Sequence, residues 1–115
     1  MEYRYDHQHL IVENVEETAR FYEQHLGAQR TVTTTINGVP VVRLDLHGTM
    51  LVISGPLLQG IGDHYGVMVT DLDQAIGELR TQGVEFLSEP TSLGTVRFVF
   101  IKDPAGNAVE IVERK

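Results

Sequence analysis

Hydrophobic and polar residues follow two different periods along this chain, and each change of period marks the border of an element. Residues Tyr5 to Glu13 have the pattern of a strand, in which alternation places His7 and His9 on one face. Apolar residues then recur every three or four positions, which predicts a helix from Val15 to Leu26. The same change of period returns after His64, where a strand is followed by a predicted helix over residues 72–82.

The other predicted strands are rich in β-branched residues or are separated by turn residues. They cover residues 29–36, 39–46, 50–54, 64–70, 84–88, 95–102 and 108–113, with a loop at 89–94. Each half of the chain therefore has the order β-α-β-β-β, which predicts an α+β fold of two βαβββ modules. With the helix packed on one face of a curved sheet, the opposite face must meet a partner module or line a cleft.

Three features recur in the two halves: a His that opens the first strand, an Asn or Asp that can cap the helix, and a Gly that ends it. These features pair as His7 with His64, Asn14 with Asp71, and Gly27 with Gly83 after one residue of slip. Such agreement indicates an internal repeat. We predict one domain over residues 1–115, with a first module at about 1–56 and a second at about 60–115.

Composition narrows the classes of partner and of chemistry. The 115 residues carry a net charge of −7, which argues against nucleic acids and anionic membranes as partners. The chain has no Cys, so a thiolate metal site and a Cys nucleophile are excluded. Its first residues have no apolar signal core, and no stretch is long enough to span a bilayer. We therefore expect a cytoplasmic protein, and a homodimer because so short a chain leaves much surface exposed.

Glu110 occupies an unusual position, between apolar neighbours in the last predicted strand. Burying a carboxylate costs several kcal/mol unless a cation accompanies it, so Arg, Lys or a metal ion is expected nearby. Arg97 and Arg43 are the alternatives to a metal. Two His from equivalent strands and one Glu form a metal-ligand set that leaves coordination positions open for water or substrate.

Three stretches carry a family resemblance over nearly the whole chain: residues 6–27, 64–86 and 103–111, the last being D-P-A-G-N-A-V-E-I. In this order they resemble the vicinal oxygen chelate superfamily, which includes glyoxalase I, extradiol dioxygenases, methylmalonyl-CoA epimerase and the bleomycin and fosfomycin resistance proteins. The resemblance implies paired βαβββ modules that form a cleft around a divalent metal ion. It also implies that His7, His64 and Glu110 are the metal ligands.

One position departs from the family pattern. Aligning the two halves places Val52 where a fourth ligand would lie, and glyoxalase I-like members usually have a carboxylate there. The remaining two His and one carboxylate resemble the set of the family's extradiol dioxygenases, which is also a general signature of non-haem Fe(II). The same set suits a catalytic zinc ion. The implied cofactor is thus a divalent ion: Fe²⁺, Mn²⁺, Zn²⁺ or Ni²⁺.

Two functions of different classes follow. The first is a metal-dependent enzyme, either a glyoxalase-like lyase or isomerase or an extradiol-type dioxygenase, whose small substrate chelates the metal through neighbouring oxygens. Glu110 and His9 are its candidate catalytic residues, His9 as a proton shuttle or a group that supports the ligands, with a polar cavity wall as the alternative. The second is a non-catalytic, bleomycin-resistance-type protein that binds a small molecule or drug. Both leave open whether the metal site lies in one chain or is shared across a dimer.

Overall fold

The computed structural model of the protein describes residues 1–114; Lys115, the end of the predicted second module, lies outside them. The elements of residues 1–114 are β1 (Arg4–Ile11), α1 (Val15–Leu26), β2 (Gln29–Ile36), β3 (Val39–Leu46), β4 (Thr49–Ser54), β5 (His64–Met68), α2 (Leu72–Thr81), β6 (Glu85–Phe86), β7 (Thr91–Leu93), β8 (Val96–Lys102) and β9 (Ala108–Arg114). The predicted α+β class is confirmed. Neither helix in this part of the chain is long and apolar enough to cross a membrane.

One predicted loop is wrong. Residues Thr91–Leu93 form β7, which pairs in antiparallel fashion with β8, so that Leu93 lies opposite Val96. Gly94 makes this hairpin possible, because it adopts a φ of +60°, which residues with a side chain rarely adopt. The strand predicted just before this loop is correspondingly short, since only Glu85–Phe86 pairs with β8.

The chain divides into two compact units. The amino-terminal unit is residues 7–63, and the carboxy-terminal unit is residues 1–6 together with the chain from His64 onward. The limits predicted for the two modules, about 1–56 and about 60–115, stay a prediction.

The amino-terminal unit has the strand order β2-β3-β4-β1, to which β1 contributes residues 7–11. β1 runs parallel to β4, and the other pairs are antiparallel. Helix α1 covers one face of these strands, where the core is formed by Val15, Ala19, Ala28, Val42, Leu44, Leu51 and Ile53. Asn14 caps α1 by accepting the Glu17 N–H at 3.0 Å, and Gly27 ends the helix with a φ of +73°.

The carboxy-terminal unit repeats this plan with the order β5-β9-β8-β6, and β7 also pairs with β8. β5 and β9 are parallel, as β1 and β4 are. Asp71 caps α2 by accepting the Gln74 N–H at 3.0 Å. The core on the helix side consists of Val69, Leu72, Ala75, Ile76, Val99, Val109 and Ile111.

In each unit the strand face opposite the helix carries the polar residues of interest. Paired residues in neighbouring strands point to the same face, and residues two apart along a strand do so as well. His9 pairs with Val52, whereas Leu51 and Ile53 belong to the helix-side core. In the carboxy-terminal unit, Glu110 pairs with Gly66 on β5 and with Phe100 on β8. Alternation along the strands thus separates an apolar face, which packs against the helix, from a face that carries His and Glu.

Candidate metal centre

The amino-terminal unit contributes two buried imidazoles from one strand. His7 and His9 are 3% and 7% exposed, and the centroids of their rings lie 6.1 Å apart. Nε2 of His9 lies 2.8 Å from Oγ of Ser54, a residue at the end of β4 that is fully buried. The Ser54 hydroxyl in turn donates to the carbonyl oxygen of Gly55 at 2.7 Å. His9 is therefore held in place by the neighbouring strand.

The carboxy-terminal unit contributes one imidazole and one carboxylate. Nε2 of His64 lies 3.3 Å from Oε1 of Glu110, and their side chains are 3% and 11% exposed. The ring of Phe100 meets the His64 ring edge-on, with the centroids 4.8 Å apart. Gly66, opposite Glu110, has no side chain to compete for the space above the sheet. Arg97, a predicted alternative partner of Glu110, contacts Asp73 at 3.2 Å, and the charge of Arg114 interacts with Glu110.

Among the described residues, four buried side chains form a group able to hold a metal ion: His7, His9, His64 and Glu110. Each offers one ligand atom, and these atoms all lie within 4.8 Å of one another. Ligand N and O atoms lie about 2.0–2.2 Å from a first-row divalent ion, so two of them are at most about 4.4 Å apart. The separations of the four ligand atoms are thus of the size found around one such ion.

The donor types fit the same group of ions. Imidazole nitrogen suits Zn, Fe and Ni, and carboxylate oxygen suits Mn as well. Low exposure on all four side chains also means that a charged Glu110 gains little from bulk water, so a cation in this group has a clear electrostatic role. The predicted ligands His7, His64 and Glu110 are thus found together, and His9 lies with them.

Two residues of β4, Val52 and Ser54, lie beside His9. Val52 carries no ligand atom, as expected, and it is 7% exposed and lies opposite His9. Ser54, the hydrogen-bond partner of His9, was missed. The available signal was alternation, since Ser54 follows Val52 by two positions and therefore shares its face of the strand.

A family model fits this chain. The model of the Glyoxalase/Bleomycin resistance protein/Dioxygenase superfamily matches residues 4–111. The chain belongs to this superfamily, as its sequence motifs indicated.

Individual relatives are more distant. The chain is 26% identical over 119 aligned positions to the virulence protein STM3117 of Salmonella typhimurium, an alignment that covers 94% of this chain and 82% of the relative. A methylmalonyl-CoA epimerase from Mycobacterium tuberculosis has a similar structure, with a TM-score of 0.81, 24% identity and coverage of 97% and 88% of the two chains. A hypothetical protein of Bacillus halodurans C-125 gives a TM-score of 0.83 at 19% identity, with coverage of 100% and 96%. These structures support the paired βαβββ fold.

Proposed function

We propose that this protein is a metal-dependent enzyme whose small substrate binds a divalent ion through two neighbouring oxygens. The observation that supports this proposal most directly is the buried group of three His and one Glu. Burying a carboxylate beside three imidazoles costs desolvation free energy, and a divalent ion bound by these side chains would offset part of that cost.

His7, His64 and Glu110 are the residues we propose to hold the ion. When bound, a divalent ion acts as a Lewis acid that polarises substrate oxygens and stabilises the negative charge developing on them. The chain itself would orient the ligands and exclude water. Phe100 contributes to this by packing edge-on against His64, which restricts the orientation of its ring.

For the reaction type we favour proton transfer at a carbon beside a carbonyl group, as in a lyase or isomerase. Support comes from the solved neighbours, one of which is a methylmalonyl-CoA epimerase in complex with methylmalonyl-CoA. Ring-cleaving dioxygenation is the second candidate, because two His and one carboxylate are the ligand set of many Fe(II) oxygenases. We also expect a homodimer in solution.

The test is elemental analysis of untagged protein, as purified and after separate reconstitution with Fe²⁺, Mn²⁺, Zn²⁺ and Ni²⁺. We expect about one ion per chain in the wild type, and loss of the ion in His64→Ala and in Glu110→Ala. His25→Ala is the matched control, since His25 is exposed on α1 and lies outside the group. The identity of the retained metal would also distinguish proton transfer from ring-cleaving dioxygenation, since retained iron would favour dioxygenation.

Two results would contradict the proposal. One is a wild-type protein that takes up none of the four ions; this would favour the non-catalytic binding protein of the same superfamily. The other is full metal retention in both variants, which would place the ion elsewhere.

A further inference from the structure

We infer that His9 is a fourth metal ligand that binds through Nδ1, with Ser54 as the residue that positions it. This inference rests on the proposed function, because it concerns the same metal centre. It gives His9 a different role from the proton shuttle considered from the sequence.

The hydrogen bonds of Ser54 determine which nitrogen of His9 carries the proton. The carbonyl oxygen of Gly55 can only accept, so the contact of 2.7 Å uses the single proton of the Ser54 hydroxyl. Oγ of Ser54 must then accept from His9 at 2.8 Å, which makes Nε2 the donor. In this neutral imidazole Nδ1 has the lone pair, and a lone pair is what a metal ligand needs.

The arrangement is the one that metal-bound imidazoles usually have. A ligating His generally donates its second ring N–H to a protein acceptor, which sets the orientation of the ring. Ser54 is suited to this task, because it is fully buried and fixed in β4, where it pairs with Ile11. A surface hydroxyl with free rotation would not select one nitrogen in this way.

The strand register explains why a fourth ligand appears at His9. In the carboxy-terminal unit, Gly66 on the first strand lies opposite Glu110 on the last strand. The equivalent pair in the amino-terminal unit is His9 opposite Val52. In the carboxy-terminal unit the ligand of this pair is on the last strand, β9. In the amino-terminal unit the proposed ligand is on the first strand, β1. His9 thus supplies the fourth ligand that Val52, which has no carboxylate, cannot supply.

This exchange changes the charge of the site. A divalent ion held by three neutral imidazoles and one carboxylate keeps a net charge of +1, whereas two carboxylates would bring it to zero. The retained charge favours substrates that bind as anions. With Nε2 on Ser54 and Nδ1 on the metal, His9 has no nitrogen left for moving a proton.

Zinc affinity of the full chain, measured by competition with a chromophoric chelator, provides the first test. We expect Ser54→Ala to weaken Zn²⁺ binding by about 10- to 100-fold, the usual effect of removing a partner that orients a ligand. His9→Ala should weaken it by at least as much, and His25→Ala should leave it unchanged. Unchanged affinity in both His9→Ala and Ser54→Ala would overturn the inference.

The second test uses the wild type and so does not depend on how well a variant folds. Long-range ¹H–¹⁵N NMR of the His rings should show that Zn²⁺ shifts the Nδ1 signal of His9 while Nε2 keeps its proton. A His9 ring that Zn²⁺ leaves unaffected, or one that binds through Nε2, would overturn the inference. If the His7 and His64 signals still respond, the proposed metal centre survives; if no ring responds, both proposals fail.

Discussion

The two units carry the same pair of strands and place different residues on them. In the amino-terminal unit both candidate ligands, His7 and His9, lie on the first strand, and the last strand offers Val52. In the carboxy-terminal unit, one ligand lies on each strand, and Gly66 occupies the place that corresponds to His9. On the proposed set of ligands, the repeated scaffold preserves where a ligand atom is needed more strictly than which strand supplies it.

Steric reasons explain why the exchange is possible. Residues that pair across two strands compete for the same space above the sheet, since their Cβ atoms are only about 4.5–5.5 Å apart. Each unit combines one long polar side chain with a smaller neighbour, as in His9 with Val52 and Glu110 with Gly66. A ligand can thus change strands when its partner becomes smaller.

The largest effect is expected from restoring the carboxy-terminal arrangement in the amino-terminal unit. His9→Gly alone should lower Zn²⁺ affinity by about 100-fold or more, because it removes a proposed ligand, and loss of a group that only orients a ligand already costs about 10- to 100-fold. Adding Val52→Glu should recover most of that loss, because the new carboxylate would rise from the strand position equivalent to that of Glu110. Chelator competition measures both changes.

Val52→Gln in the same His9→Gly background is the control for this rescue. It adds a side chain of nearly the same size without the negative charge. A double variant with Val52→Glu that binds Zn²⁺ no better than His9→Gly would show that the two strand positions are not interchangeable.

Periodicity and turn residues together were enough to predict most of the fold. The bounds of α1, β2 and β3 follow from their apolar spacing and their turn residues, and the structure has them at the predicted residues. Thr91–Leu93 was misassigned because three residues are too few to show a period, and their pairing depends on β8, which comes later in the chain.

The candidate site was predictable to a similar degree. The equivalence of His7 and His64 within the repeat was visible in the sequence, as was the odd burial of Glu110. Alternation places Ser54 on the same strand face as Val52, but its position beside His9 was not visible in the sequence, since it depends on the parallel pairing of β1 with β4. Contacts between residues 45 positions apart need the three-dimensional register.

A smaller effect on stability is expected at the two helix caps, Asn14 and Asp71. Removing either cap, with Asn14→Ala or Asp71→Ala, should lower the free energy of unfolding by about 1 kcal/mol. The loss should be larger for Asp71→Ala, by about 0.3–1 kcal/mol, because the charge of Asp71 also interacts with the helix dipole. Urea unfolding measures both values, with Asp71→Asn as the control that keeps the cap and removes the charge. Equal losses in the two alanine variants would contradict the charge contribution.

The smallest effect concerns the turns that lead into the last strand of each unit. Before β4, the turn needs positive φ angles at His47 and Gly48, and Asp45 accepts the Gly48 N–H at 3.2 Å. Before β9, Asp103 does more, because its carboxylate accepts hydrogen bonds from the side-chain amide of Asn107 and from the backbone N–H groups of Asn107 and Ala105. These hydrogen bonds hold the pKa of Asp103 below its ordinary value of 3.8.

A lowered pKa in the folded state has a definite sign for stability. The contribution of Asp103 is present in full above the pKa of the unfolded chain, and it is lost as the pH falls through the lower pKa of the folded protein. Asp103→Asn should therefore make unfolding less dependent on pH below about 4, where Asp titrates. Asp45→Asn, in the other turn, is the matched comparison, because the carboxylate of Asp45 accepts one hydrogen bond and that of Asp103 accepts three. Thermal unfolding of the three proteins between about pH 2.5 and 5 measures the difference, and an equal change in both variants would show that the two turns are stabilised alike.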